Sequence, residues 1–222
     1  MVNSSLFYNT KLFINQVQGE LMKKSIYWFL SLTWGVIMTL IGAIIILCLL
    51  LTGHKVKRFG YDLYINVGNN WGGGSFGPFF ITDNNDRYSI KCHEHGHGFQ
   101  NCKLGPLFPF LVAIPSASRY WLREIATQKG KIIYSTILSF CFIAIGVALL
   151  SSGFVINNTL LKILGIFIVS YFVILWVWLA LIETPKYKNN KHVDYDSFWP
   201  EGDATRTGTE FMKSLQQKES SK

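Results

Sequence analysis

The sequence predicts an α-helical integral membrane protein with about three transmembrane helices and a small membrane-apposed α+β domain. Composition is the first reason. Half of the 222 residues are hydrophobic and only 15% are charged, a balance that suits a bilayer better than bulk water. The second reason is three nearly charge-free stretches, at 25–52, 132–154 and 160–182, each long enough to cross a bilayer as a helix. The third is the 53–131 segment, where polar residues and turn signals return.

Residues 1–24 precede the first span, and Met22-Lys23-Lys24 has the form of a translation start. The apolar run that follows is too long for a signal-peptide core, so it reads as a signal anchor. In 53–131, Arg58 to Val67 carries the aromatic and β-branched residues of a strand. Asn69 to Ser75 reads as a glycine-rich loop, and Phe76 to Thr82 as a second short strand that Pro78 places at an edge. A helix is expected from about Ser89 to Lys103, stopped by Gly105-Pro106. Leu107 to Ile114 is apolar but too short to span, which predicts a re-entrant or interfacial piece. Ser116 to Gln128 reads as a basic amphipathic surface helix. The second and third spans then form a hairpin, and 183–222 is a tail with a frayed end.

The net charge of +8 gains meaning from its placement. Lysines and arginines crowd the 53–131 loop and the tail, whereas the 151–159 connection has none. The positive-inside rule puts loop and tail in the cytoplasm, and the excess reads as contact with anionic lipid. No nucleic-acid motif accompanies it. The four cysteines form no metal or disulfide pattern. Cys48 and Cys141 are expected to pack inside spans, and Cys92 and Cys102 to be free thiols.

The chemistry concentrates in His93-Glu94-His95-Gly96-His97. Histidines four apart share a helix face and can bind one zinc ion, with the intervening glutamate beside it as a base. His95 points off that face and is expected to pack or to face solvent. Gly96 and Gly98 each weaken a helix by about 1 kcal/mol relative to alanine, a cost that makes sense where another backbone or a substrate comes close. A catalytic zinc needs a third protein ligand. The tail offers His192, Asp194, Asp196, Glu201 and Asp203. Two spans separate it from the histidines, so both fall on one side of the membrane.

H-E-x-x-H, two spans, and then Glu201-Gly202-Asp203-Ala204-Thr205-Arg206-Thr207-Gly208 resembles the membrane-bound gluzincins. These are the prenylated-protein (CAAX) endopeptidases and the bacterial heat-shock membrane metalloproteases, with their E-x-x-A-D-x-x-G motif. His93-Glu94-His95-Gly96-His97-Gly98-Phe99-Gln100 together with Leu104-Gly105-Pro106-Leu107 and Ile114-Pro115-Ser116 is also similar to a group of small bacterial membrane proteins. The resemblance implies a zincin-like domain with Zn2+ held by His93, His97 and Glu201. It implies Glu94 as the catalytic base acting through a zinc-bound water. Thr205 departs from the pattern, standing where the family has an aspartate that supports the histidines.

Site-2 proteases match less well, because Asp86, Arg87, Lys91 and Lys103 keep this motif out of the bilayer core. A desaturase-type di-iron site needs about eight histidines, and the chain has five. The expectation is a membrane zinc metalloendopeptidase acting on a peptide or membrane-protein substrate at the cytoplasmic face of a bacterial inner membrane. The alternative is a non-catalytic membrane protein or complex subunit with a structural or degenerate metal site. An edge strand at Phe76 to Thr82 would suit either, as a peptide-binding edge or as a cover for the core.

Overall fold

The computed structural model describes residues 22–188 and 193–220. The expected N-terminal segment 1–21 and His192 lie outside them. The chain divides into two compact units, Met1–Leu111 with Tyr195–Lys222, and Val112–Asp194.

The first unit opens with a correction. The apolar stretch expected as one span at 25–52 is two helices, α1 (Lys24–Leu32) and α2 (Val36–Leu51), meeting at 94°. Hydropathy runs unbroken through the joint, but backbone contacts do not. Thr39 donates to the Ser31 carbonyl at 2.7 Å, and Asn101 donates to the Gly35 carbonyl. Gly35 has no room for a side chain, since a Cβ there would lie 2.2 Å from Asn101 Nδ2.

The sheet has four strands in the order β1-β2-β4-β3: β1 (Lys57–Phe59), β2 (Asp62–Asn66), β3 (Gly73–Phe76) and β4 (Phe79–Thr82). The single strand expected over 58–67 is a hairpin. Gly60, at φ +57°, makes the turn, and β1 and β2 pair antiparallel. Gly73 and Gly74, expected in a loop, begin β3. Gly77 (φ +68°) and Pro78 turn β3 into β4. The edge assignment also reverses, because β4 pairs with β2 in parallel on one side and with β3 antiparallel on the other. Pro78 sits in the turn, where its missing N–H costs no ladder bond, and β3 is the edge.

Helix α3 (Tyr88–Leu104) carries the HEHGH residues and ends at Gly105, φ +54°. Its start is fixed by Asp83, whose carboxylate accepts from the Gly72 and Asn85 amides and pairs with Arg87. After Asp194 the chain returns through a short turn (Tyr195–Ser197) into α7 (Trp199–Ser220). The expected frayed end is helical as far as Ser220.

Helices α3 and α7 cross with their backbones touching. A Cβ on Gly96 would lie 2.0 Å from the Ala204 carbonyl oxygen, and one on Gly208 would lie 1.8 Å from that of Cys92. Gly98 faces the Tyr27 hydroxyl of α1 in the same way, at 2.1 Å. Gly96 and Gly98 therefore sit where other elements come closest, which accounts for two glycines inside one helix.

The second unit contains α4 (Ile114–Glu124), α5 (Gln128–Val155) and α6 (Thr159–Trp176). α6 continues through a π-helical stretch, Val177–Glu183, to Lys186. Pro185 has no N–H for the normal helical bond, and the widened turn lets Thr184 donate to the Leu179 carbonyl. The piece expected to be re-entrant or interfacial forms a 3-10 turn (Gly105–Leu107) and a π turn (Pro109–Ala113) leading into α4. α4 is not simply a basic surface helix. Arg119 is fully buried and pairs with Glu183, which also receives Lys186 at 2.6 Å and the Tyr187 hydroxyl at 3.2 Å.

Gln128–Val155 and Thr159–Lys186 are long and apolar enough to cross a membrane, and there are three spans if the bent α1–α2 pair is one. These helices indicate membrane association. Cys48 and Cys141, expected to pack inside, lie on exposed helix faces, and all four cysteines are free.

Candidate metal centre

All the site residues belong to the first unit. α3 supplies His93 and His97 one turn apart, and α7 supplies Glu201 from its first turn. The backbone-close crossing brings them together. Among the described residues, His93, His97 and Glu201 form a group that could hold a metal ion. The two Nε2 atoms are 3.1 Å apart, and Glu201 Oε2 lies 3.1 Å from His93 Nε2 and 3.4 Å from His97 Nε2.

Glu201 is fully buried, and neither of its carboxylate oxygens has a hydrogen-bond partner. A buried carboxylate without a partner is costly unless a cation satisfies it. Burial pushes this carboxyl up, but the facing His93 and His97 rings outweigh it and hold the group well below the usual carboxylate range. Burial pulls the His97 imidazole down, and Glu201 more than reverses that, leaving it raised.

The far side of each ring is also held. His93 Nδ1–H donates to Thr205 Oγ1 at 2.8 Å, and Thr205 Oγ1–H donates to Asp196 Oδ1 at 3.0 Å. His97 Nδ1–H donates to Gln100 Oε1 at 2.8 Å, and Gln100 Nε2 donates to the Pro200 carbonyl and Asp203 Oδ2. With Nδ1 as donor, each Nε2 keeps its lone pair toward Glu201. Thr205 itself brings no charge to His93, yet the Asp196 carboxylate stands one hydrogen bond behind it. The turn carrying Asp196 fits because Gly202 lacks a side chain, a Cβ there falling 2.5 Å from the Asp196 carbonyl oxygen.

Glu94 is 4% exposed and lies outside the three-residue ligand group. Burial raises its carboxyl above the ordinary value, with His93 and His97 pulling the other way. Its carboxylate faces edge strand β3, where a Cβ on Gly73 would come within 2.5 Å of Glu94 Oε1. Of packing and solvent exposure, the two expectations for His95, the structure shows packing. The ring is buried and bonded through Nδ1 to Asp62 at 2.7 Å, and Asp62 also accepts from Tyr27.

No family model, no curated protein and no solved structure matches this chain.

Sequence reasoning offered Asp196 as one of the tail's candidate ligands and missed its place behind Thr205, and it missed the roles of Gln100 and of the Tyr195 ring, which packs on His93 at 5.9 Å between centroids. Gln100 carried a local signal, standing one turn after His97. Asp196 carried none, because its link to His93 passes through Thr205.

Proposed function

We propose that this chain is a membrane zinc metalloendopeptidase that hydrolyses peptide bonds near the bilayer. The observation that carries this reading is the partnerless, buried carboxylate of Glu201 facing two Nε2 atoms. Ligands 2.0–2.1 Å from a tetrahedral zinc stand roughly 3.3 Å from one another, and separations of 3.1, 3.1 and 3.4 Å fit that spacing. Two imidazoles and one carboxylate are also a donor set that zinc favours, leaving a fourth position open.

His93, His97 and Glu201 would hold the ion, which when bound supplies Lewis-acid polarisation of the scissile carbonyl and acidifies water. Thr205 and Gln100 fix the imidazole tautomers. Glu94 takes a proton from the attacking water as its oxygen bonds to the carbonyl carbon. As the C–N bond breaks, Glu94 returns that proton to the leaving amine. A carboxyl raised by burial suits both transfers. The Gly73–Phe76 edge offers backbone groups to an extended peptide, and Gly73 lets that strand's backbone pack directly against Glu94.

The second reading, a non-catalytic membrane protein or complex subunit with a metal site, draws on Thr205 in place of an aspartate. The Thr205–Asp196 link weakens that objection. Glu94→Gln separates the two. In an enzyme it abolishes cleavage and keeps the metal, whereas zinc retention with no Glu94-dependent cleavage of membrane-proximal peptides favours the subunit.

A further inference from the structure

We infer that the cleft between α1, α3 and α7 is a binding site for a free apolar amino acid the size of leucine, methionine or phenylalanine. The cleft holds about 220 Å³ and belongs wholly to the first unit. None of His93, Glu94, His97 and Glu201 lines it, so it is a second site, apart from the metal group.

Its floor is apolar. Phe99 and Cys102 of α3, both nearly buried, form the back, and Met22 and Leu30 close it from the α1 side. Its rim is charged. Lys103 comes from α3, and Asp203, Arg206 and Glu210 come from one face of α7, at the spacing that puts side chains on one stripe of a helix. These four charges sum to zero but are not all matched. Asp203 accepts from Arg206 on one oxygen at 2.7 Å and from Gln100 on the other at 3.1 Å. Lys103 and Glu210, both exposed, have no partner among the described residues. A zwitterion complements that unmatched pair, one charge to each.

Register separates the two along the cleft. α3 and α7 run antiparallel where they touch, with Cys92 against Gly208, Gly96 against Ala204, and Gln100 reaching Pro200 and Asp203. Lys103, a turn beyond Gln100, therefore stands toward Asp203. Glu210 lies seven residues along α7 from Asp203, roughly 10 Å at about 1.5 Å per residue. An α-amino acid fills such a span. Its ammonium and carboxylate lie about 3 Å apart, and each adds a hydrogen bond of about 3 Å.

Volume sets the size of the occupant. About seven waters of roughly 30 Å³ each would fill the cleft, which is smaller than the roughly 300–1,000 Å³ of sites for drug-sized molecules. That suits a single residue and not a helix or a long peptide. The carboxylate meets Lys103, the ammonium meets Glu210, and the apolar side chain lies on Phe99 and Leu30.

Calorimetric titration of L-leucine, L-methionine and L-phenylalanine into the full chain in lipid nanodiscs tests this. Saturable binding of one molecule per chain is expected. N-acetyl-L-leucine lacks the ammonium, L-leucinamide lacks the carboxylate, and L-alanine lacks the apolar reach, and each should bind at least about tenfold more weakly than leucine. Lys103→Gln and Glu210→Gln should each weaken leucine about tenfold. Photo-leucine, its diazirine analogue, should label residues 99–103 and 203–210 and be displaced by leucine. No saturable binding by any of the three, capped leucines that bind as tightly as leucine, unchanged affinity in either charge variant, or label confined to other parts of the chain overturns the proposal. A photo-reactive residue in place of Leu30 that joins to residues 1–21 or to a second copy of the chain would name a different occupant and also overturn it. None of these readouts needs catalysis, so they stand apart from the peptidase reading.

Discussion

His93 Nδ1 and Thr205 Oγ1 lie 2.8 Å apart, joining α3 to α7 beside the candidate metal site. Because Thr205 passes its own hydrogen to Asp196, the imidazole faces a neutral oxygen backed by a charge. Thr205→Val keeps shape and removes both bonds. Zinc affinity, measured by chelator competition, should fall about 10- to 100-fold. Thr205→Ser should stay near wild type, and Thr205→Asp should bind at least as well. An unchanged affinity in Thr205→Val would show that the link does not orient His93.

The crossing of α3 and α7 gives a prediction that couples stability to metal. A Cβ at Gly96 meets the Ala204 carbonyl oxygen at 2.0 Å, backbone against backbone, so the helices must part. Gly96→Ala should cost about 1–3 kcal/mol and lower zinc affinity, because Glu201 rides on α7. Gly146→Ala, tight against Val169 in the hairpin, should lower the melting temperature and leave zinc affinity unchanged. Thermal unfolding in detergent and zinc titration of both variants check this.

Part of the candidate site was legible in the sequence. His93 and His97 one turn apart follow from the 3.6-residue period, whereas Glu201 was singled out only by the motif resemblance, and the helix that carries it, in a stretch read as a tail, was not legible. The broken first span was not legible. Hydropathy continues through Thr33-Trp34-Gly35, and only contacts from Asn101 and Thr39 mark the bend. Strand order was equally hidden, since Pro78 signals an interruption but cannot tell an edge from a turn. The burial of Arg119 depends on Glu183, a partner 64 positions away.

Asp83 gives a pH dependence. Burial pushes its carboxyl up, but the Gly72 and Asn85 amides and Arg87 outweigh it and leave it below the ordinary aspartate value. A group lowered on folding stabilises when ionised, above the unfolded value of about 3.9, and that contribution is lost as pH falls through the folded value. Asp83→Asn should therefore lower the melting temperature fully at pH 7, with the gap to wild type closing below about pH 4. A gap of constant size down to pH 3 would contradict this.

The buried Arg119–Glu183 pair predicts asymmetric substitutions. Arg119→Leu leaves Glu183 buried with Lys186 and Tyr187 alone and should cost about 3 kcal/mol. Arg119→Leu combined with Glu183→Leu removes both charges and should recover a large part of that loss. Unfolding by SDS titration of the two variants tests it, and additive losses would count against a coupled pair.

The central claim is that His93, His97 and Glu201 together hold one zinc, and metal content of the purified full-length protein tests it most directly. After zinc loading and desalting, the account predicts one zinc per chain in wild type and in Glu94→Gln, and far less in His97→Ala and Glu201→Gln. X-ray absorption should show two imidazoles and a carboxylate. A wild type that retains no zinc, or a Glu201→Gln variant that retains it as well as wild type, would contradict the account.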